Sequence, residues 1–402
     1  MATSILCRAS LKTNTLFHAK FIDPLVSAEV ITKQFSDKSN SLLAAVGLDV
    51  YGTMPDKKAH FVPVGCFFHS DLTSVEKTSP EFPLSALTYT FANETMNVDT
   101  GDFVLAILGS ILENKANVIS KELVETGTQN KLILPRKGIK IPGANFLPLE
   151  TTFLNNIHPY LDGLSGVPKT CQKVFTDADL PYSKRAKPLS QLTNEEATQL
   201  TSALLPYLSA GTIPRILGSD YELPMENPAS PMRYTSSIAS LGQFIWSQKM
   251  MGLFLGILIG DRARQLSSLV ERYIEYSNNT IKGVQNLSVV MNETESQILS
   301  SDLFVSISNL DIPDTTFADV GRILLETTLE NKKFVVLRTS QSISIAWTKE
   351  FSLVPTMATF LERDIPLIST SSTSIRVLDS SDATHTKIME TIRHITTENV
   401  PS

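Results

Sequence analysis

Residues 236–278 read SSIASLGQFIWSQKMMGLFLGILIGDRARQLSSLVERYIEYSN. The centre of this stretch, Met250 to Gly260, is an apolar run of about eleven residues, where roughly 20 are needed to cross a bilayer. It is expected as a buried core helix. Gly252, Gly256 and Gly260 fall four apart and line one face of such a helix. Glycine costs about 1 kcal/mol relative to alanine in a helix interior, so close packing of another backbone on that face is the expected compensation. After it, Asp261, Arg262, Arg264, Gln265, Glu271 and Arg272 alternate with Leu266, Leu269, Val270, Tyr273 and Ile274, an amphipathic continuation. Arg262 and Arg264 point about 200° apart, so at most one shares a ligand with Arg272. Pairing of these arginines with Asp261 and Glu271 on a solvated face is the competing reading.

On either side the pattern stays mostly helical. Thr193-Asn194-Glu195-Glu196 is a capping box that opens a helix ending before Pro206. Helices are expected over 235–277, 283–301, 315–330 and 384–397, with KFVVLR, SISIAW and TSIRVLD as short strands between the last two. In the N-terminal part, LLAAVGLDVYG and AHFVPVGCFF flank a turn at Met54 to Lys58 and read as a hairpin. Val104 to Val124 carries apolar residues at helical spacing, with Gly127 as a stop.

Between these regions lies a charge anomaly. Residues 131–187 hold nine Lys and Arg against four Asp and Glu, while the rest of the 402-residue chain holds 26 against 37. The segment also carries six of the 21 prolines, which break long helices, and reads as an irregular basic connector. The fold class expected is mainly α: a two-lobed helical protein with minor β-hairpins and a basic inter-lobe groove. The division expected is an N-terminal lobe over 1–130, a basic Pro-rich hinge over 131–190 and a C-terminal helical lobe over 191–402.

Composition narrows the function classes. Hydrophobic residues at 42% and charged residues at 19% describe an ordered chain. Cys7, Cys66 and Cys171 are odd in number and far apart, which favours a reducing compartment over a disulfide framework. Before Asp23 the only charged residues are Arg8, Lys12 and Lys20, a composition shared by transit peptides and by short basic arms. Ile5, Leu6, Leu11, Leu16 and Phe17 make the arm over residues 1–20, with residues 395–402 at the other end, a candidate for exchange between neighbouring subunits; docking on the same subunit is the alternative. None of the six histidines sits in a nucleophile, zinc-protease or phosphate-loop motif. Cys66 and His69, with His60 nearby, supply half of a zinc site but no second ligand pair. Asp311, Asp314 and Asp319 lack the spacing of a calcium loop. The chain is therefore expected to be no enzyme, with no cofactor and no metal.

The run IASLGQFIWSQKMMGLFLGILIG and the basic amphipathic helix after it resemble the central helical region of nucleoproteins of nonsegmented negative-strand RNA viruses, the bornavirus-related type in particular. The resemblance implies a nucleocapsid protein that polymerises along single-stranded genomic RNA through phosphate contacts without base readout. It implies a virion component, present also in host cytoplasm or nucleus, with no membrane association. Its partners would be RNA, further copies joined by terminal arms, and the viral polymerase and phosphoprotein. RNA contact falls on Lys131, Arg136, Lys137, Lys140, Lys184, Arg185 and Lys187 of the hinge, opposite Arg233, Lys249 and Arg262. A shell or scaffold subunit without stoichiometric RNA is the main alternative, and an organelle-targeted enzyme a further one.

Overall fold

The structure is a computed structural model and describes residues 1–12, 19–31, 43–52, 61–64, 66–72, 74, 83–113, 118–293, 298–308, 310 and 312–398. The expected turn at 54–58, arm residues Leu16 and Phe17, His60, Asp311 and residues 399–402 lie outside them. In chain order the helices are α1 (Ala2–Lys12), α2 (Leu84–Thr95), α3 (Thr100–Glu113), α4 (Val118–Gln129), α5 (Leu149–Leu154), α6 (Pro168–Asp177), α7 (Tyr182–Arg185), α8 (Asn194–Leu204), α9 (Ile213–Ile216), α10 (Thr235–Ser247), α11 (Met251–Ile259), α12 (Ala263–Glu293), α13 (Phe317–Glu326), α14 (Leu353–Glu362) and α15 (Asp382–Glu398). The strands are β1 (Leu25–Ser27), β2 (Leu43–Val46), β3 (Asp49–Tyr51), β4 (Phe61–Val64), β5 (Phe67–His69), β6 (Leu134–Ile139), β7 (Leu217–Glu222), β8 (Ile298–Ser300), β9 (Phe304–Ile307), β10 (Phe334–Arg338), β11 (Ile343–Trp347), β12 (Leu367–Ser371) and β13 (Ser374–Val377). The protein is mainly α, as its periodicity indicates, and no described helix is long and apolar enough to cross a membrane.

Two compact units divide the chain: residues 1–123, 247–260 and 293–402 form the first, and residues 124–246 and 261–292 the second. The first unit contains a six-stranded sheet in the order β12-β13-β11-β10-β9-β8, antiparallel except for β9 and β10. The strands expected from KFVVLR, SISIAW and TSIRVLD are its middle, and all five residues of β11 are buried, Ser344 among them. Trp347, Phe334, Phe360 and Ile392 lie in the core beneath this sheet. The sheet is larger than the hairpins expected. The remaining strands of this unit are parallel, β2 with β4 and β1-β3-β5. β2 and β4 thus form no hairpin, because parallel neighbours need a crossover longer than a turn.

The helix α1 docks within this unit. Ile5 and Ala9 are fully buried, and Arg8 Nε reaches Asp102 Oδ1 at 2.7 Å while Lys12 Nζ reaches Asp99 Oδ2 at 2.8 Å. Asp99 and Asp102 also hold each other's backbone amides at the start of α3, at 3.0 and 2.9 Å.

The single long helix expected over 235–277 is instead three helices. Lys249 at φ 56° separates α10 from α11, and Gly260 at φ 123° caps α11. Among the described residues, no atom beyond the helix's own backbone and adjoining residues lies within 4 Å of where a Cβ would stand on Gly252, Gly256 or Gly260. The glycine face therefore meets no closely packed backbone among the described residues, and a close approach occurs elsewhere: a Cβ on Gly321 of α13 would stand 2.7 Å from Ala346 Cβ on β11.

In the second unit the proline-rich stretch is ordered structure. Pro168 occupies the first turn of α6 and Pro148 and Pro181 precede α5 and α7, positions where a missing amide removes no helical hydrogen bond. Phe153, Phe175, Leu161 and Leu200 form its core, with the Phe153 and Phe175 rings stacked at 5.4 Å. The capping box forms as read: Thr193 Oγ1 accepts from the Glu196 amide at 3.2 Å, and Glu196 accepts from the Thr193 amide at 2.8 Å.

Candidate nucleic-acid interface

Strands β6 and β7 of the second unit form an antiparallel ribbon, with Arg136 opposite Asp220 and Gly138 opposite Gly218. Both glycines have positive φ, 137° and 149°, a backbone state that L side chains rarely adopt, so the ribbon distorts at that pair. Beside it, Glu222 is 4% exposed and receives two guanidinium groups, Arg136 through Nε at 2.5 Å and Arg233 through Nη2. Arg233 also donates to the Glu226 carbonyl, and Arg262 to the Glu226 carboxylate. A carboxylate this buried is tolerable only when paired and hydrogen-bonded. Arg233, with 15% of its side chain exposed, completes that pairing. Arg136 keeps 58% exposed, and its two Nη groups make no hydrogen bond to a described residue.

Arg136 opens onto a cleft of about 380 Å³ between the ribbon and α8, lined also by Lys137, Asn145, Asn194, Thr198 and Tyr234. Asp220 is the acidic group in its wall and is already saturated. Oδ1 accepts from the Tyr221 and Ser236 amides and the Thr235 hydroxyl, and Oδ2 accepts from the Ser236 hydroxyl at 2.6 Å. It thereby ties β7 to the start of α10. Burial, and then the nearby Glu222, push the Tyr234 phenol above its usual range, so it stays neutral.

The other cations read from the sequence separate into kinds. Lys131, Lys137 and Lys187 are exposed and Lys140 half-buried, none with an ion pair to a described residue. Lys184 pairs with Glu196 at 3.0 Å. Arg185 donates to the Leu180 carbonyl at 2.7 Å and lies over the Phe175 ring. Lys249 belongs to the first unit, where it donates to the Ser369 carbonyl and approaches Asp23 at 3.4 Å.

A second polar pair was missed by the sequence reading. On the parallel sheet of the first unit, His69 Nε2 lies 2.8 Å from Asp49 Oδ1, one strand apart and two residues along. Cys66 donates instead to the Ala45 carbonyl at 3.4 Å, and burial raises its thiol pKa. Among the described residues no three His, Cys, Asp or Glu side chains come together as a metal would require.

No known family model matches this sequence, and no curated protein matches it. Similarity appears among solved structures. The chain resembles CDC45 from Entamoeba histolytica with a TM-score of 0.63 at 9% identity, over 98% of this chain and 92% of that one. The match takes in both units. It also overlaps RecJ from Thermus thermophilus in complex with Mn2+ (TM-score 0.46, 10% identity, 100% of this chain and 50% of that one) and an exonuclease RecJ bound to manganese (0.44, 10%, 100% and 87%). At these identities the CDC45 likeness is one of fold.

These findings overturn the nucleoprotein reading. The fold matched is that of CDC45, and the viral family, the nucleocapsid and virion role and RNA encapsidation are withdrawn with it. The stretch that carried the resemblance is three helices rather than one, and apolar periodicity of that kind recurs in many helical folds. The expectation of no enzyme is withdrawn with that reading, because a fold of this kind does not set chemistry.

Proposed function

We propose that this protein serves a DNA-directed role on a CDC45-type fold, gripping the sugar-phosphate backbone through the cationic surface of its second unit. The observation that supports this most is the likeness over 98% of the chain and 92% of CDC45, which takes in both units rather than one borrowed element. Fold alone does not set chemistry; the contact rests on side chains. Of the cations read from the sequence, Lys131, Lys137, Lys140 and Lys187 have no carboxylate partner among the described residues, and Arg136 retains a free guanidinium edge. Cations available in this way attract a polyanion through phosphate contact and counterion release.

The test is fluorescence polarisation of labelled single-stranded and duplex DNA across a salt series, with Mn2+ or Mg2+ present and strand integrity read on a gel. Binding that weakens as salt rises is expected, and replacing Lys131, Lys137 and Lys187 together by Gln should reduce the slope by about two units, at roughly 0.7 per single-strand phosphate contact. Absence of binding at low salt, or an unchanged slope in the triple variant, would remove this surface from the role.

A further inference from the structure

We infer that the cleft between β6 and α8 binds a phosphomonoester: the dianionic phosphate of a nucleoside monophosphate or of a phosphorylated strand end. This deepens the DNA-directed reading and rests on it only for naming a nucleotide as the carrier.

Four observations within the second unit point there. The first is size. A cleft of about 380 Å³ sits at the small end of the range for small-ligand sites, roughly 300–1,000 Å³, and suits one nucleotide rather than a passing helix. The second is charge. Arg136 and Lys137 both line the space, while its one wall carboxylate, Asp220, already accepts four hydrogen bonds and has little acceptor capacity left for a ligand donor. A phosphomonoester carries close to two negative charges at neutral pH, its second pKa being about 6, and is drawn more strongly than a singly charged diester by a cleft in and beside which Arg136, Lys137 and Arg233 outnumber Asp220 and Glu222 by one.

The third observation is donor geometry. Arg136 is anchored by Nε on the buried Glu222, which leaves the Nη edge of a planar fork directed away from that anchor. Such an edge suits the paired oxygens of a phosphate, and anchoring beforehand reduces the side-chain freedom lost on binding. The fourth is the remaining lining. The Asn145 and Asn194 amides make no hydrogen bond to a described residue, so they add neutral donors from the opposite wall. The hydroxyls of Thr198 and Thr201 donate to the Asn194 and Ala197 carbonyls, at 2.8 and 2.7 Å, and keep lone pairs for a sugar or base. Tyr234, held neutral, offers a ring edge and a phenol to the rest of the nucleotide.

The experiment is isothermal titration of the full chain with dTMP, thymidine, and a short thymidine oligomer with and without a terminal phosphate, repeated with Lys137→Gln and Asn194→Ala. Neither variant removes a partner from a buried group, and a thermal melt verifies folding. Binding of dTMP at least tenfold tighter than thymidine, with that preference lost in both variants, is expected. A tenfold preference for the phosphorylated oligomer alone assigns the strand end, and one for dTMP as well assigns the free nucleotide. Equal binding of dTMP and thymidine together with equal binding of the two oligomers overturns the inference, and binding of the unphosphorylated oligomer would still leave the DNA-directed role in place. A phosphate preference unchanged in both variants also overturns it. Variant-sensitive dTMP binding with no oligomer bound at any salt upholds the cleft and ends the DNA-directed reading.

Discussion

Each unit of this protein buries a carboxylate beneath two cations, and the two clusters differ in what is left over. In the first unit, Asp102 is wholly buried and held by Arg8 and Lys12, each with about a quarter of its side chain exposed (23% and 24%) and each also bonded to Asp99. In the second, Glu222 is held by Arg233 and Arg136, but Arg136 stays 58% exposed. The first arrangement is closed and fastens α1 to α3. The second keeps one guanidinium edge open to a cleft. Net charge in a window of sequence does not distinguish them, because what a cation offers a ligand depends on how much of it carboxylates already hold.

The largest effect that would break this comparison is expected at the closed cluster. Asp102→Ala leaves Arg8 and Lys12 without their buried partner and should destabilise the first unit by about 3–5 kcal/mol, read as a lower urea midpoint with little change in slope. A loss under about 1 kcal/mol would show that the cluster is solvated and not a fastening. The same cluster sets an acid dependence. Burial alone would raise the Asp99 pKa, but hydrogen bonds from Lys12, the Asp102 amide and Arg8 outweigh it and hold the carboxyl well below its usual range. A depressed carboxyl contributes stability above its unfolded pKa of about 4 and loses it as pH falls below that. Lys12→Gln should therefore flatten the decline in melting temperature below about pH 4.

At the open cluster, Glu222→Gln keeps the shape and some hydrogen bonding but removes the charge facing Arg233, and about 2–3 kcal/mol of destabilisation is expected. The same variant frees Arg136 from its anchor, so phosphate affinity at the cleft should change with it; unchanged affinity would separate anchoring from binding. The smallest effect sharpens the contrast from outside both clusters. Lys333 and Glu350 are 38% and 59% exposed, and Lys333→Gln should shift stability by less than about 1 kcal/mol, a shift that vanishes in high salt.

How much of this was legible depends on distance along the chain. The capping box at Thr193 and Glu196 was readable because its partners stand three residues apart, and α13, α15 and the strands at 334–338 and 343–347 were readable from their periodicity. The break at Lys249 was not, since a lysine at φ 56° carries no local signal, and the parallel pairing of β2 with β4 was hidden because strand direction depends on the route of the crossover. The cationic segment was visible as composition, yet nothing near Arg136 in sequence marks Glu222, 86 residues away, as its partner. The Asp49–His69 pair went unseen for the same reason, its members being neighbours only once β3 and β5 align.

By itself, then, the sequence determined the mainly helical class, the helix starts set by short-range hydrogen bonds, and the presence of a basic stretch in an acidic chain. These follow from interactions within a turn or two of each residue. Only the tertiary structure decided that the apolar strands join into one six-stranded sheet, that the whole chain takes a CDC45-like fold, and which cations are enclosed by carboxylates and which still face a cleft. Those outcomes arise from contacts between residues tens to hundreds of positions apart, where burial and charge pairing are properties of the packed arrangement and not of any segment.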